Sequence, residues 1–368
     1  MLRPKLTKIF SIIFFWMLIS VFIQPISAQE GKLAWSKIIS PALADNLIGD
    51  PATKSYAIYL PPSYETSDKL YPVLYVLHGY TGNAGSLTNI KPTIDRMIRN
   101  HDIGEIIVVF VDGSNKFYGS EYLSSKTIGD YETYITKDLV DHIDTNYRTI
   151  TNRSSRGITG YSMGGYGAMR LALKYPDVFS VTVPQAGFYD VDTDWFKNTW
   201  AKPIAFANPK NWAEFSQMFW MTQGGFACAA GMSPNTDKPP FFFDKPYELV
   251  DGKAQLMPEV WKRWIEADVI HGHLDRYIKQ PIQLKGIMIV HGKGDGIVSV
   301  NQAQALDKAL KDLGIEHIYD EHAGGHDFIA EKSLQFMSEH LAFEQVPTGL
   351  AWHQDKLAAS WGKMKSQY

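Results

Sequence analysis

The chain has 368 residues, 45% of them hydrophobic and 20% charged, which excludes an intrinsically disordered polymer and allows one large α/β domain or two average ones. A formal net charge of −3, with no lysine- or arginine-rich block, gives no electrostatic footprint for nucleic acid. Cys228 is the only cysteine, so no internal disulfide forms and the fold must rest on its hydrophobic core; Cys228 itself reads as a small buried hydrophobe.

The first element is a leader. Arg3, Lys5 and Lys8 precede an apolar run from Ile9 to Ile23 and a small-residue exit from Pro25 to Ala28. The run is shorter than the ~20 residues of a membrane-spanning helix, so residues 1–28 are expected to be a cleaved signal peptide rather than an anchor. The mature chain then starts near Gln29 and is secreted or periplasmic, without a stable membrane anchor.

Beyond the leader, the stretch Lys54–Tyr64 alternates and stops at a proline pair, as a strand running into a turn does. Val73–Leu77 is a continuous apolar run too short for a helix, and the signature returns within Glu105–Gly113, Ser180–Gly187 and Gly286–Gly292. Helical patterns lie between: Ile135, Leu139 and Ile143 form one stripe behind Asp130 as N-cap, Met163–Lys174 ends before Pro176, and Gln302–Leu313 follows. Such alternation predicts an α/β fold with a mostly parallel twisted sheet flanked by helices. From about 188 to 280 the alternation breaks into a segment holding Trp195, Trp200, Trp212, Trp220, Trp261 and Trp264. It is expected to be an aromatic-rich insertion over the carboxyl edge of the sheet, within a single domain spanning 29–368.

Gly160-Tyr161-Ser162-Met163-Gly164 satisfies G-x-S-x-G between an apolar run and a helix. A glycine cluster can simply mark a turn, but this context is the one a nucleophile on a strained strand-to-helix corner demands. A serine hydroxyl needs a base, and the base an orienting acid, in the chain order Ser, acid, His. Asp295, in the loop after Gly286–Gly292, and His326, beyond the Gly324-Gly325 bend, fit that order; His322 is the rival base but reads as strand end. His291, His317 and His142 read as structural or surface residues. Negative charge on a carbonyl oxygen calls for fixed amides, expected from Met163 and from Tyr80, with Thr81 as its neighbour and His78 as a hydrogen-bonded scaffold. Tyr118, Tyr122 and Tyr161 are the candidate substrate contacts. The chemistry requires neither metal nor cofactor, and "HGHLDR", His271 to Arg276, has Arg276 where a metal-binding run would carry its last ligand. Asn152-Arg153-Ser154 is a glycosylation sequon only in a host that glycosylates.

"YLPPSY", "YPVLYVLHG", "IDTNYRT", "GYSMGGYGAMRLALKYPDVF", "HGKGD" and "GGHDF", in that order, resemble the esterase branch of the α/β-hydrolases, which includes feruloyl esterase domains, S-formylglutathione hydrolases and mycolyltransferases. The similarity spans about 54–187 and 287–328. It implies an α/β-hydrolase fold, triad roles for Ser162, Asp295 and His326, and small-molecule or glycan esters, or thioesters, as substrates. Transfer of the acyl group to a sugar or lipid alcohol is the alternative outcome on the same site, and a non-catalytic carbohydrate-binding module the third reading. Residues 188–279 depart from the pattern and leave substrate identity open.

Overall fold

The computed structural model describes residues 30–343. The chain divides into two units, Met1–Glu30 and Gly31–Tyr368, and the fold below is that of the second. The leader and the last residues fall outside the described stretch.

Eight strands form the main sheet: β1 (Lys32–Ile39), β2 (Thr53–Leu60), β3 (Val73–Leu77), β4 (Ile107–Val111), β5 (Arg156–Tyr161), β6 (Val181–Gln185), β7 (Gly286–Gly292) and β8 (Ile318–His322). Their spatial order is β1-β2-β4-β3-β5-β6-β7-β8. Pairing is antiparallel from β1 to β2 and β2 to β4, and parallel from β4 onward. The continuous apolar runs follow from burial on both faces. Val73, Tyr75 and Leu77 of β3 point into one core with Ile107, Val109 and Val111 of β4, while Leu74, Val76, Val108 and Phe110 point into the other. A period of two within an unbroken apolar string divides it between the two layers.

On the second face lie α1 (Lys91–Arg99) and α8 (Ala330–His340), through Ile94, Met97, Leu334 and Met337. The first face carries α2 (131–146), α3 (Met163–Lys174) and α7 (Asn301–Asp312). α2 runs as Tyr131–Thr133, a π-helical stretch Tyr134–Leu139 and Val140–Asn146. Asp130 caps it as expected, accepting from the Thr133 amide at 2.9 Å, and Ile135, Leu139 and Ile143 are buried. The π stretch was not foreseen, because one widened turn leaves the apolar stripe intact.

Between β6 and β7 the chain builds α4 (Trp220–Met232), α5 (Pro258–Ala267), α6 (Val269–Tyr277), shorter helical pieces and a hairpin, Tyr247–Val250 with Lys253–Leu256. Phe226 meets Phe215, Phe241 and Phe243 at 5.6, 5.5 and 5.0 Å between centroids, and Phe117, from the loop after β4, joins the same rings. Trp264 is fully buried, and these aromatics share one core with the sheet. No helix among the described residues is long and apolar enough to cross a membrane.

Candidate active site

β5 delivers Ser162 to the carboxyl edge of the sheet, where it stands before α3 with φ 59° and ψ −118°. Side chains rarely adopt a left-handed φ, and the strain is held by packing. A Cβ on Gly160 would lie 2.2 Å from the Gly164 carbonyl oxygen, and one on Gly164 2.2 Å from that of Leu77. Only glycine fits these two positions, so the motif's spacing is a record of backbone contact. The Ser162 amide donates to the Gln185 carbonyl at 2.9 Å, tying the corner to β6.

Asp295 sits in the loop after β7, its side chain wholly buried. Oδ1 accepts from the amides of Ile297 and Val298, each at 2.8 Å, and Oδ2 accepts from His326 Nδ1 at 2.7 Å. Burial pushes this carboxyl up, but the hydrogen bonds from His291, His326, Val298 and Ile297 outweigh it and hold the pKa well below the usual carboxylate range. The loop carrying His326 is stapled to the Asp295 loop: the Lys293 amide donates to His322 O at 2.8 Å and the Gly294 amide to Gly324 O at 2.9 Å. Tyr161 braces it from the serine side, donating its hydroxyl to the His326 carbonyl at 2.9 Å with the rings 4.7 Å apart. The Asp295–His326 pair and the Ser162 corner therefore occupy one rim, with His326 Nδ1 engaged by Asp295.

Around the corner, the loop after β3 is fixed by His78. This buried imidazole donates from Nδ1 to Gly79 O at 2.7 Å and accepts at Nε2 from the Gly113 amide at 2.9 Å, which defines its neutral tautomer. The Thr81 amide is consumed by Tyr118 O at 3.0 Å, and the Tyr80 hydroxyl donates to Phe117 O at 2.8 Å. Among the described residues no backbone carbonyl accepts from the amides of Tyr80 or Met163. Met163 opens a twelve-residue helix whose N-terminal amides favour negative charge.

Of the three tyrosines considered as substrate contacts, Tyr118 is 37% exposed and stacks on Phe215 at 5.8 Å. Tyr161 is half-buried and engaged with His326; burial pushes its hydroxyl up to about 12. Tyr122 is different. It is fully buried, its hydroxyl donates to His78 O at 2.9 Å and its ring occupies the space beside Gly167, so it supports the loop after β3 rather than facing solvent. His322 ends β8 and accepts from the Gly324 amide at 3.1 Å. His271 and His273 lie on α6 and turn to different partners, Asp190 Oδ1 at 3.2 Å and the Asp268 carbonyl at 2.7 Å.

One neighbour of Asp295 was read from sequence as a structural or surface histidine. His291 is completely buried at the end of β7, with Nε2 3.2 Å from Asp295 Oδ2 and 3.1 Å from Val298 O. The available signal was its position four residues before Asp295 across a strand-to-loop turn, a spacing that apolar periodicity does not record.

A model of the family described as "Putative esterase" matches residues 53–341. The chain belongs to this esterase family. Among its relatives, Esterase Rv1288 of Mycobacterium tuberculosis is 31% identical over 198 residues, 53% of this chain but 39% of that protein. The chain thus spans about two fifths of that relative's length. Among solved structures, a ferulic acid esterase superposes with a TM-score of 0.57 at 19% identity, covering 85% of this chain and 99% of that one. An S-formylglutathione hydrolase from Agrobacterium tumefaciens gives 0.53 at 18% identity, covering 85% and 97%. At these identities the likeness is one of fold, and the fold is that of the α/β-hydrolases. The family match covers every strand of the main sheet from β2 to β8, the Ser162 corner and the Asp295–His326 pair.

Proposed function

We propose that this member of the esterase family is an exported serine hydrolase that cleaves carboxylic esters through an acyl-enzyme, with Ser162 as nucleophile, His326 as base and Asp295 as its orienting acid. The observation that carries the reading is the 2.7 Å hydrogen bond from His326 Nδ1 to Asp295 at the same sheet edge as the strained Ser162 corner. In the proposed sequence Ser162 Oγ attacks the ester carbonyl while His326 Nε2 takes its proton. The resulting oxyanion is met by the amides of Met163 and Tyr80, each such donor typically lowering the barrier by ~3 to 4 kcal/mol. Collapse expels the alcohol, which receives the proton from His326; water, deprotonated by the same imidazole, then attacks the acyl carbon, and the acid leaves as His326 returns that proton to Ser162 Oγ. Asp295 stays ionised throughout, a role that its four hydrogen-bond donors support.

Tyr118, exposed beside the loop after β3 and stacked on Phe215, supports an aromatic wall for the acyl or alcohol group, consistent with phenolic or acylated-sugar esters. Such a wall also favours an alcohol acceptor over water, and products formed with and without excess glycerol separate hydrolysis from transfer. Export rests on the leader; N-terminal sequencing of the secreted chain should begin near Gln29. The reading as a whole is tested with a p-nitrophenyl acyl ester: Ser162→Ala should lose on the order of 10⁴-fold or more in kcat, and a fluorophosphonate should label the wild type alone. Equal turnover in both proteins would refute it.

A further inference from the structure

Glu121 has no part in the chemistry above, yet it lies in the segment that grips the loop after β3. Residues 117–122 hold that loop through three contacts: Tyr80 hydroxyl to Phe117 O at 2.8 Å, Thr81 amide to Tyr118 O at 3.0 Å and Tyr122 hydroxyl to His78 O at 2.9 Å. At Gly119 a Cβ would lie 2.6 Å from Met163 Sδ and 2.7 Å from the Tyr80 ring, so the segment touches both residues proposed as oxyanion donors. Its backbone is fixed in an uncommon form, with φ 50° at Glu121 and 51° at Tyr122.

The Glu121 side chain is 3% exposed, and its Oε2 is buried with no hydrogen-bond partner among the described residues. The titratable groups around it are Tyr80 of the loop after β3, Tyr122 of its own segment, Tyr166 on α3 and Cys228 on α4. None carries positive charge, and burial raises the pKa of each, so none offsets a carboxylate or ionises ahead of it. A buried carboxylate without a cation or donors is too costly to keep ionised, so the group holds its proton. In a segment packed on the two proposed oxyanion donors a neutral acid is harmless, whereas a carboxylate would work against the charge that develops on the carbonyl oxygen in a poorly screened interior.

We propose that Glu121 is a positioning residue that must remain an uncharged acid within the segment packed on Tyr80 and Met163, and that its ionisation sets the alkaline limit of ester hydrolysis. Burial pushes its carboxyl up to about 8, which places the limit. The same shift has a stability consequence of definite sign. A folded-state pKa above the unfolded one contributes stability that is complete below the ordinary carboxylate range and is lost as pH rises through about 8. A glutamine of the same shape escapes that loss.

The inference rests on the esterase reading, and two measurements keep the two apart. First, kcat/KM for a p-nitrophenyl ester is followed from pH 6 to 10 in wild type and Glu121→Gln, each normalised to its own value at pH 7. The wild type should fall about tenfold per pH unit above its limit, as for loss of one essential proton, while the glutamine variant stays level to about pH 9.5; an identical alkaline limb in both overturns the proposal. Second, the Tm gap between the two proteins should widen from pH 5 to 8 and then level off; a gap that does not change with pH overturns it independently of activity. Glu121→Met, also uncharged, serves for both measurements where the glutamine variant does not fold. Undiminished turnover in Ser162→Ala would remove the esterase reading instead, leaving the Tm result to decide the state of Glu121.

Discussion

Asp295 illustrates how one side chain can be over-determined. Its two oxygens accept from two imidazoles and two amides, so the carboxylate has neither a free lone-pair direction nor freedom to rotate. Asp295→Asn turns one acceptor into a donor facing a donor, and on the proposed roles kcat should fall on the order of 10³- to 10⁴-fold, the loss typical of a triad acid. The pH dependence has a fixed sign. Because the folded-state pKa is depressed, the stability contributed by this carboxylate is complete above about pH 4 and is lost as pH falls through the depressed value. Thermal melts should accordingly show the gap between wild type and Asp295→Asn closing below about pH 4; a gap that persists unchanged to pH 2 would contradict the assignment. At the same scale, Gly160 and Gly164 were legible because close backbone approach tolerates one residue type. Glu121 was not, since an acid in an irregular loop carries no periodicity and its burial is known only once the chain has closed around it.

Among the elements, α3 was the easiest to delimit: the strained serine starts it and the Tyr175-Pro176 pair ends it, both local signals. α2 was legible in its cap and stripe but not in its π stretch, where tertiary contacts choose between helical windings of nearly equal cost. The cap makes a prediction. Asp130 accepts from the Thr133 amide and hydroxyl and from the Ser124 hydroxyl. Asp130→Ala should cost about 1 kcal/mol, within the 0.5 to 2 typical of N-caps, and Asp130→Asn appreciably less, as read from urea unfolding. β1 and α1 went unread for opposite reasons. β1 is an edge strand with mixed exposure and polar interruptions, and α1 is short with proline in its first turn.

For the molecule as a whole, the strands announced themselves because a sheet covered on both faces leaves unbroken apolar strings, whereas residues 188–280 fold by meeting one another. Six tryptophans advertise burial without saying against what. Phe117 and Phe226 join that region to the sheet's own core, so the two should open together. Cys228, on α4 and 2% exposed, reports on it: its thiol should resist a disulfide reagent in the native protein and react in urea only in step with the loss of tryptophan fluorescence. Reaction ahead of that loss would mean that α4 opens on its own. The sheet order carries a last implication for biosynthesis. β5 precedes β7 and β8 by more than a hundred residues in the chain but stands near them in space, with only β6 between it and β7. A ribosome-bound or clipped polypeptide lacking its final strand would bear the alcohol without the imidazole that, on the proposed roles, arms it. Hydrolytic power would then be conferred only once the chain has been made past His326, so that shorter fragments stay inert toward the cell that makes them.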